Sequence, residues 1–112
     1  MAKDDFHVIA YRILQYLYEC LKQGQDPDTE LITAEKYEIN ERYFQTIIGQ
    51  LFENGYITGV MAVPMMKVNY TPYKITGSIS ITMQGIEYLT DNTFIAKAQK
   101  FFKMTKESVP FI

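Results

Sequence analysis

Leu51-Phe52-Glu53-Asn54-Gly55-Tyr56-Ile57 and, after a long two-strand excursion, Ile79-Ser80-Ile81-Thr82-Met83-Gln84-Gly85-Ile86-Glu87-Tyr88-Leu89 decide the fold of this chain. The first stretch ends a helix and opens a strand, because Gly55 can take the left-handed conformation that stops a helix. The second closes a strand and enters a further helix at Thr82, a good N-cap. With a short helix and a turn before them, the order reads helix-turn-helix followed by a β-hairpin. The expected fold class is α+β, a winged helix-turn-helix with a three-helix core, a hairpin wing and additional C-terminal helices. Such an architecture mostly holds something else, usually DNA, so the chain reads as a binding module.

Working outward, the helix that Gly55 closes should begin at an Asn40 cap and bury Phe44, Ile47, Ile48, Leu51 and Phe52. Gly49 inside it costs about 1 kcal/mol of helix propensity relative to Ala, which points to a close approach by a backbone or a ligand. Thr33 caps a short helix from Ala34 to Tyr37 or Glu38, too brief to stand without tertiary support. Leu31-Ile32 reads as a brief edge strand. Upstream, Phe6, Ile9, Ala10, Ile13, Leu17, Cys20 and Leu21 recur at spacings of three and four, predicting an amphipathic helix from Asp4 to Lys22 with Gly24 as its stop. Downstream, strands are expected at Tyr56 to Val60 and Ser78 to Ile81. A helix follows from Thr82 through Leu89, and a last one from Phe94 to about Lys106 with Phe94, Ala98, Phe101 and Phe102 on one side.

A chain of 112 residues, 47% hydrophobic and 21% charged, has room for one domain and one core. No apolar run approaches the roughly 18 residues of a membrane span. Lys3, Asp4 and Asp5 stand where a signal peptide needs apolar residues, so the expected location is cytoplasmic. One cysteine, Cys20, and one histidine, His7, exclude an internal disulfide and an ordinary zinc cluster, and no cofactor is expected. Cys20 falls on an apolar stripe and reads as a buried structural thiol; His7 reads as a surface or helix-packing residue. There is no phosphate loop and no nucleophile elbow, and carboxylate pairs such as Glu35 and Glu38 are routine on helix surfaces. The chain is therefore expected not to be an enzyme.

The Leu-x-x-x-Gly-Tyr-Ile ending at Ile57 and the Ile-Thr-x-x-Gly-x-x-x-Leu from Ile81 to Leu89 resemble winged-helix domains of bacterial regulators. More narrowly, the opening Met1 to Ile9 together with the whole layout resembles the YjcQ-like family of small bacterial and prophage proteins, over nearly the full length. That resemblance implies a winged-helix fold and leaves the activity open.

Three surfaces are candidates. The outward side of the Asn40 to Glu53 helix would carry Asn40, Glu41, Arg42, Tyr43, Gln45, Thr46 and Gln50, of which Arg42, Gln45 and Gln50 could bond base edges in a major groove of double-stranded DNA. Lys67 and Lys74 of the wing would assist at the phosphates. Residues 33 to 54 nevertheless hold Lys36 and Arg42 against Glu35, Glu38, Glu41 and Glu53, a net of −2, where a DNA reader is usually positive. The bland alternative is that these polar side chains only solvate a core helix. The wing, with Met61, Met65, Met66, Tyr70 and Tyr73, is apolar enough to face a protein partner or a second copy of the chain, or to fold back over its own core. Lys97, Lys100, Lys103 and Lys106 of the last helix could track phosphates, or edge a helix whose Phe101 and Phe102 dimerise or close the domain. Residues 1 to 56 hold five Lys/Arg against ten Asp/Glu and residues 57 to 112 six against three, so a phosphate-binding surface must come from the later half.

Overall fold

The computed structural model describes residues 2–64 and 68–105. The elements run α1 (Phe6–Gln23), a 3-10 turn (Thr29–Leu31), α2 (Glu41–Glu53), β1 (Ile57–Ala62), β2 (Tyr73–Ile81), α3 (Met83–Asp91) and α4 (Thr93–Thr105). Helices and one antiparallel hairpin make the fold α+β in a winged-helix-like arrangement, with α3 and α4 added after the hairpin.

The first helix is more central than an amphipathic stripe implies. Val8, Ile9, Ala10, Tyr11, Ile13, Leu14, Tyr16, Leu17 and Cys20 are all buried, because α2, α3, α4 and β2 pack around α1 on several sides. Gln25 N–H donates to Cys20 O and Gly24 N–H to Leu21 O, the paired bonds that close a helix in the Schellman manner. Leu21, expected on the buried face, is half exposed in this last turn. Cys20 is a buried thiol.

Two local expectations between the helices fail. Leu31-Ile32 forms no strand: Asp28 accepts from Glu30 N–H at 3.0 Å and winds the chain into the 3-10 turn instead. Residues 34–38 are turns rather than a helix. Thr33 Oγ1 does accept Lys36 N–H at 3.1 Å, but Glu38 then enters the left-handed region at φ 58°. One turn of helix fixes several dihedrals for few hydrogen bonds, so it does not propagate once the buried Tyr37 ring anchors it.

The second helix matches its expected limits. Asn40 Oδ1 accepts Tyr43 N–H at 2.8 Å, and Gly55, at φ 78°, ends the helix with Tyr56 N–H bonded to Leu51 O. Phe44, Ile47, Ile48 and Leu51 turn inward. Phe52 does not; it sits at the edge of the stripe, where its ring meets that of Tyr73 edge-on at 5.8 Å.

Both strands are longer than expected, because the apolar flanks of the wing pair with each other: Val60 faces Ile75 and Ala62 faces Tyr73. Between the Thr58/Ser80 and Val60/Ile75 pairs the register shifts, because β2 bulges: Thr76 to Ile79 stand opposite Gly59 alone. Thr82 then caps α3 by accepting Gly85 N–H at 3.0 Å while its hydroxyl donates to Gly55 O. A Cβ at position 85 would stand 2.2 Å from Tyr56 O, so only glycine lets α3 press against the entry to β1. In α4 the inward residues are Ile95, Ala98 and Phe102. Phe94, expected to join them, stays largely exposed and stacks on His7 with centroids 4.8 Å apart.

Candidate functional site

The outward flank of α2 is built by its period. With Phe44, Ile47, Ile48 and Leu51 inward, Arg42, Thr46 and Gln50 fall at four-residue spacing into one exposed row. Thr46 Oγ1 donates to Arg42 O at 2.9 Å, and Asn54 Nδ2 donates to Gln50 O at 2.8 Å, so backbone bonds steady the row at both ends. The Arg42 guanidinium lies 5.8 Å over the Tyr70 ring. Glu41 and Glu53 are exposed beside the row and bring carboxylates to it.

Three residues expected on this flank are otherwise engaged. Gln45 is buried, and its Oε1 accepts Tyr73 N–H at 2.7 Å, because β2 begins against α2 at this point and its first N–H needs an acceptor. Tyr43 is half-buried, and its hydroxyl donates to Asp4 O at 2.7 Å, tying α2 to the start of α1; burial, with Asp4 and Asp5 nearby, pushes its phenol up. Asn40 is exposed but spends its carbonyl on the helix cap.

The wing folds back at its base. The Tyr73 ring lies over Gly49, where an added Cβ would stand 2.8 Å from its Cε2, so the close approach that Gly49 signals is by a ring of the hairpin. A groove of about 170 Å³ remains between Thr46, Gln50 and Glu53 on one side and Tyr70 and Tyr73 on the other. Tyr70 and Tyr73 are therefore half-buried rather than displayed. Met61, at 58% exposure, and Lys74, its partner in the ladder, do face outward. Met65, Met66 and Lys67 lie outside the described residues.

The last helix divides differently from expectation. Phe102 is buried against Tyr11 and beneath Arg12, so it closes the fold and cannot present itself to a partner; Phe101 is half-buried. Lys97, Lys100 and Lys103 are exposed along one shallow groove. This basic wall stands on a helix packed against α1 and α3, whereas Arg42 and Lys74 belong to the α2–hairpin side. Lys106 lies outside the described residues.

Arg12 is the residue that sequence reasoning passed over, since it falls among apolar neighbours in α1. Its guanidinium lies 4.9 Å from the Tyr37 centroid and 5.6 Å from that of Phe102. A cation set among the apolar residues of a helix rich in buried aromatics was the available signal. His7 is a packing residue: Nδ1 lies 3.2 Å from the Tyr88 hydroxyl, and burial lowers its pKa while Asp5 partly opposes this. Among the described residues no three His, Cys, Asp or Glu side chains are grouped to hold a metal, and no helix is long and apolar enough to cross a membrane.

Fold and flank together define the class, a small α+β protein of winged-helix-like arrangement extended by two helices. The chain belongs to the YjcQ family, described as "YjcQ protein", which matches residues 11–108. No curated protein and no solved structure matches it.

Proposed function

We propose that this chain is a non-enzymatic DNA-binding protein, a small cytoplasmic regulator of bacterial or prophage origin that sets α2 into a major groove. The observation that carries the reading is the exposed row of Arg42, Thr46 and Gln50 on a helix whose opposite stripe is buried, with the hairpin alongside. Arg42 and Gln50 supply the fork and the carboxamide that pair with base edges, and Thr46 supplies a methyl and a hydroxyl. Gln45 and Tyr43 support the helix from behind rather than read bases. To reach a base, Arg42 leaves the Tyr70 ring, which costs about 0.5–1 kcal/mol at an exposed site.

Arg42 and Lys74 are the described cations on this side, and Glu41 and Glu53 oppose the phosphates. With Arg42 on base edges, Lys74 is left for the phosphates, and one such contact would give a slope of about −0.9 in log K against log salt, shallow for a duplex binder. Specificity would then rest on base contacts more than on charge. Titration of a labelled pool of random duplexes at several salt concentrations tests this. Saturable binding with a shallow slope, followed by enrichment of particular sequences, supports it; no binding by tens of micromolar protein at low salt removes it.

A second reading is favoured by Met61, which stands outward on the hairpin with Val63 at 37% exposure. In that reading the same scaffold binds a protein or a second copy of the chain. Light scattering separates the two: a Met61→Glu change should convert a dimer to monomer under the second reading and leave DNA binding untouched under the first.

A further inference from the structure

Beyond DNA binding, we propose that the cleft between the start of α1 and the 33–38 turn binds a small molecule carrying an oxyanion, a phosphate ester or a carboxylate, through Arg12 and Lys36. The cleft encloses about 620 Å³ and is lined by Lys3, Asp4, Arg12, Lys36, Tyr37 and Glu38, with Ala2 at its edge. That volume suits a metabolite-sized ligand.

Arg12 is what makes it a site. Its guanidinium is held between the Tyr37 and Phe102 rings, and its Nε is sealed from solvent without a hydrogen-bond partner. Among the described residues it forms no ion pair; Lys22 pairs with Glu19 elsewhere on α1. A half-buried guanidinium normally takes a carboxylate or phosphate across its planar fork, two parallel N–H···O bonds that fix both position and orientation. Here two aromatic rings confine it, and the cleft beside it has room for an incoming anion. Lys36, on the rim, adds a second positive charge.

Asp4 and Glu38 on the same rim would repel a bare anion. They narrow the ligand to one that also carries hydroxyl or ammonium donors, which these carboxylates accept. Glu38 is placed there by a left-handed backbone, φ 58°, a conformation that non-glycine residues adopt rarely and that recurs at ligand sites.

The test is a titration of the full chain, ¹⁵N-labelled, at constant ionic strength, following the Arg12 Nε–Hε signal. Inorganic phosphate, acetate and glycerol 3-phosphate are the three probes. A saturable shift is expected, at least tenfold tighter for glycerol 3-phosphate than for whichever simple anion binds better. The phosphate and acetate arms tell which oxyanion is preferred. Lys36→Gln should weaken binding about tenfold, and Glu38→Gln should tighten inorganic phosphate several-fold while erasing the advantage of the hydroxylated probe. Arg12→Lys keeps the charge and loses the fork, and should abolish saturation, read there from the backbone N–H signals of Lys36, Tyr37 and Glu38, which the wild-type titration must also shift; if that variant does not fold, the wild-type, Lys36 and Glu38 titrations decide alone. Shifts that stay linear for all three probes, or that are the same in Lys36→Gln, overturn the proposal.

Discussion

Arg12 and Arg42 both lie over aromatic rings, yet the two regions that hold them are built in opposite ways. Arg12 is clamped by Tyr37 and Phe102, rings that are themselves buried, whereas Arg42 rests on the single, half-buried ring of Tyr70 at the surface. A cation over a ring is worth about 2 kcal/mol when desolvated and about 0.5–1 when exposed. The inner arginine is therefore part of the fold and offers a fixed fork to whatever enters its cleft. The outer one is cheap to move, as a base-reading side chain must be.

Substitutions should reproduce that division. The largest effect is expected on the inner side: Gly85→Ala drives a methyl group into Tyr56 O and should cost about 3 kcal/mol in chemical denaturation, near the upper end for overpacking because the obstacle is backbone. Arg12→Ala should cost about 2 kcal/mol, and Arg42→Ala about 0.5–1 kcal/mol, by the same measurement. Equal losses would erase the contrast between the two arginines. Gln45→Ala tests the seam between the regions. It strands Tyr73 N–H against α2 and should cost about 1–2 kcal/mol if that N–H is kept from water, loosening the wing without touching the exposed row.

The smallest effect expected is a pH dependence at His7. Burial sets its pKa below the ordinary 6.5, so the unfolded chain takes up the proton more readily than the folded one. The stability held by neutral His7 is complete above pH about 6.5 and declines as the pH falls through the folded value. A urea series from pH 7.5 to 5 should show a slight loss that His7→Phe removes.

How much of this was legible depended on whether a signal was local. Asn40, Gly55 and Thr82 mark helix ends through bonds made within a few residues, and all three act where the sequence places them. The inward stripe of α2 follows from its period. Gln45 lies off that stripe and reads as outward; only the return of β2, 28 residues later, turns its surroundings into an interior. Phe52 reads as core and becomes the hairpin's neighbour for the same reason. Residues 34–38 carry a valid cap at Thr33 but too little length to extend a helix, and Tyr37, whose phenol burial pushes far up, anchors a turn instead. The setting of Arg12 is the least local of all, since Tyr37 and Phe102 are brought to it from two distant parts of the chain. Of the candidate interface, the row Arg42, Thr46 and Gln50 could be read from spacing alone, while the engagement of Gln45, Tyr43 and Phe102 could not.

The most direct test of the central claim compares the sequence preference of the wild-type chain with that of Arg42→Ala on duplexes enriched by the wild type. Arg42→Ala should lose about 1–3 kcal/mol on the preferred sequence, with little change on random duplex and an intact fold. Binding that falls equally on all sequences, or does not fall at all, would contradict it.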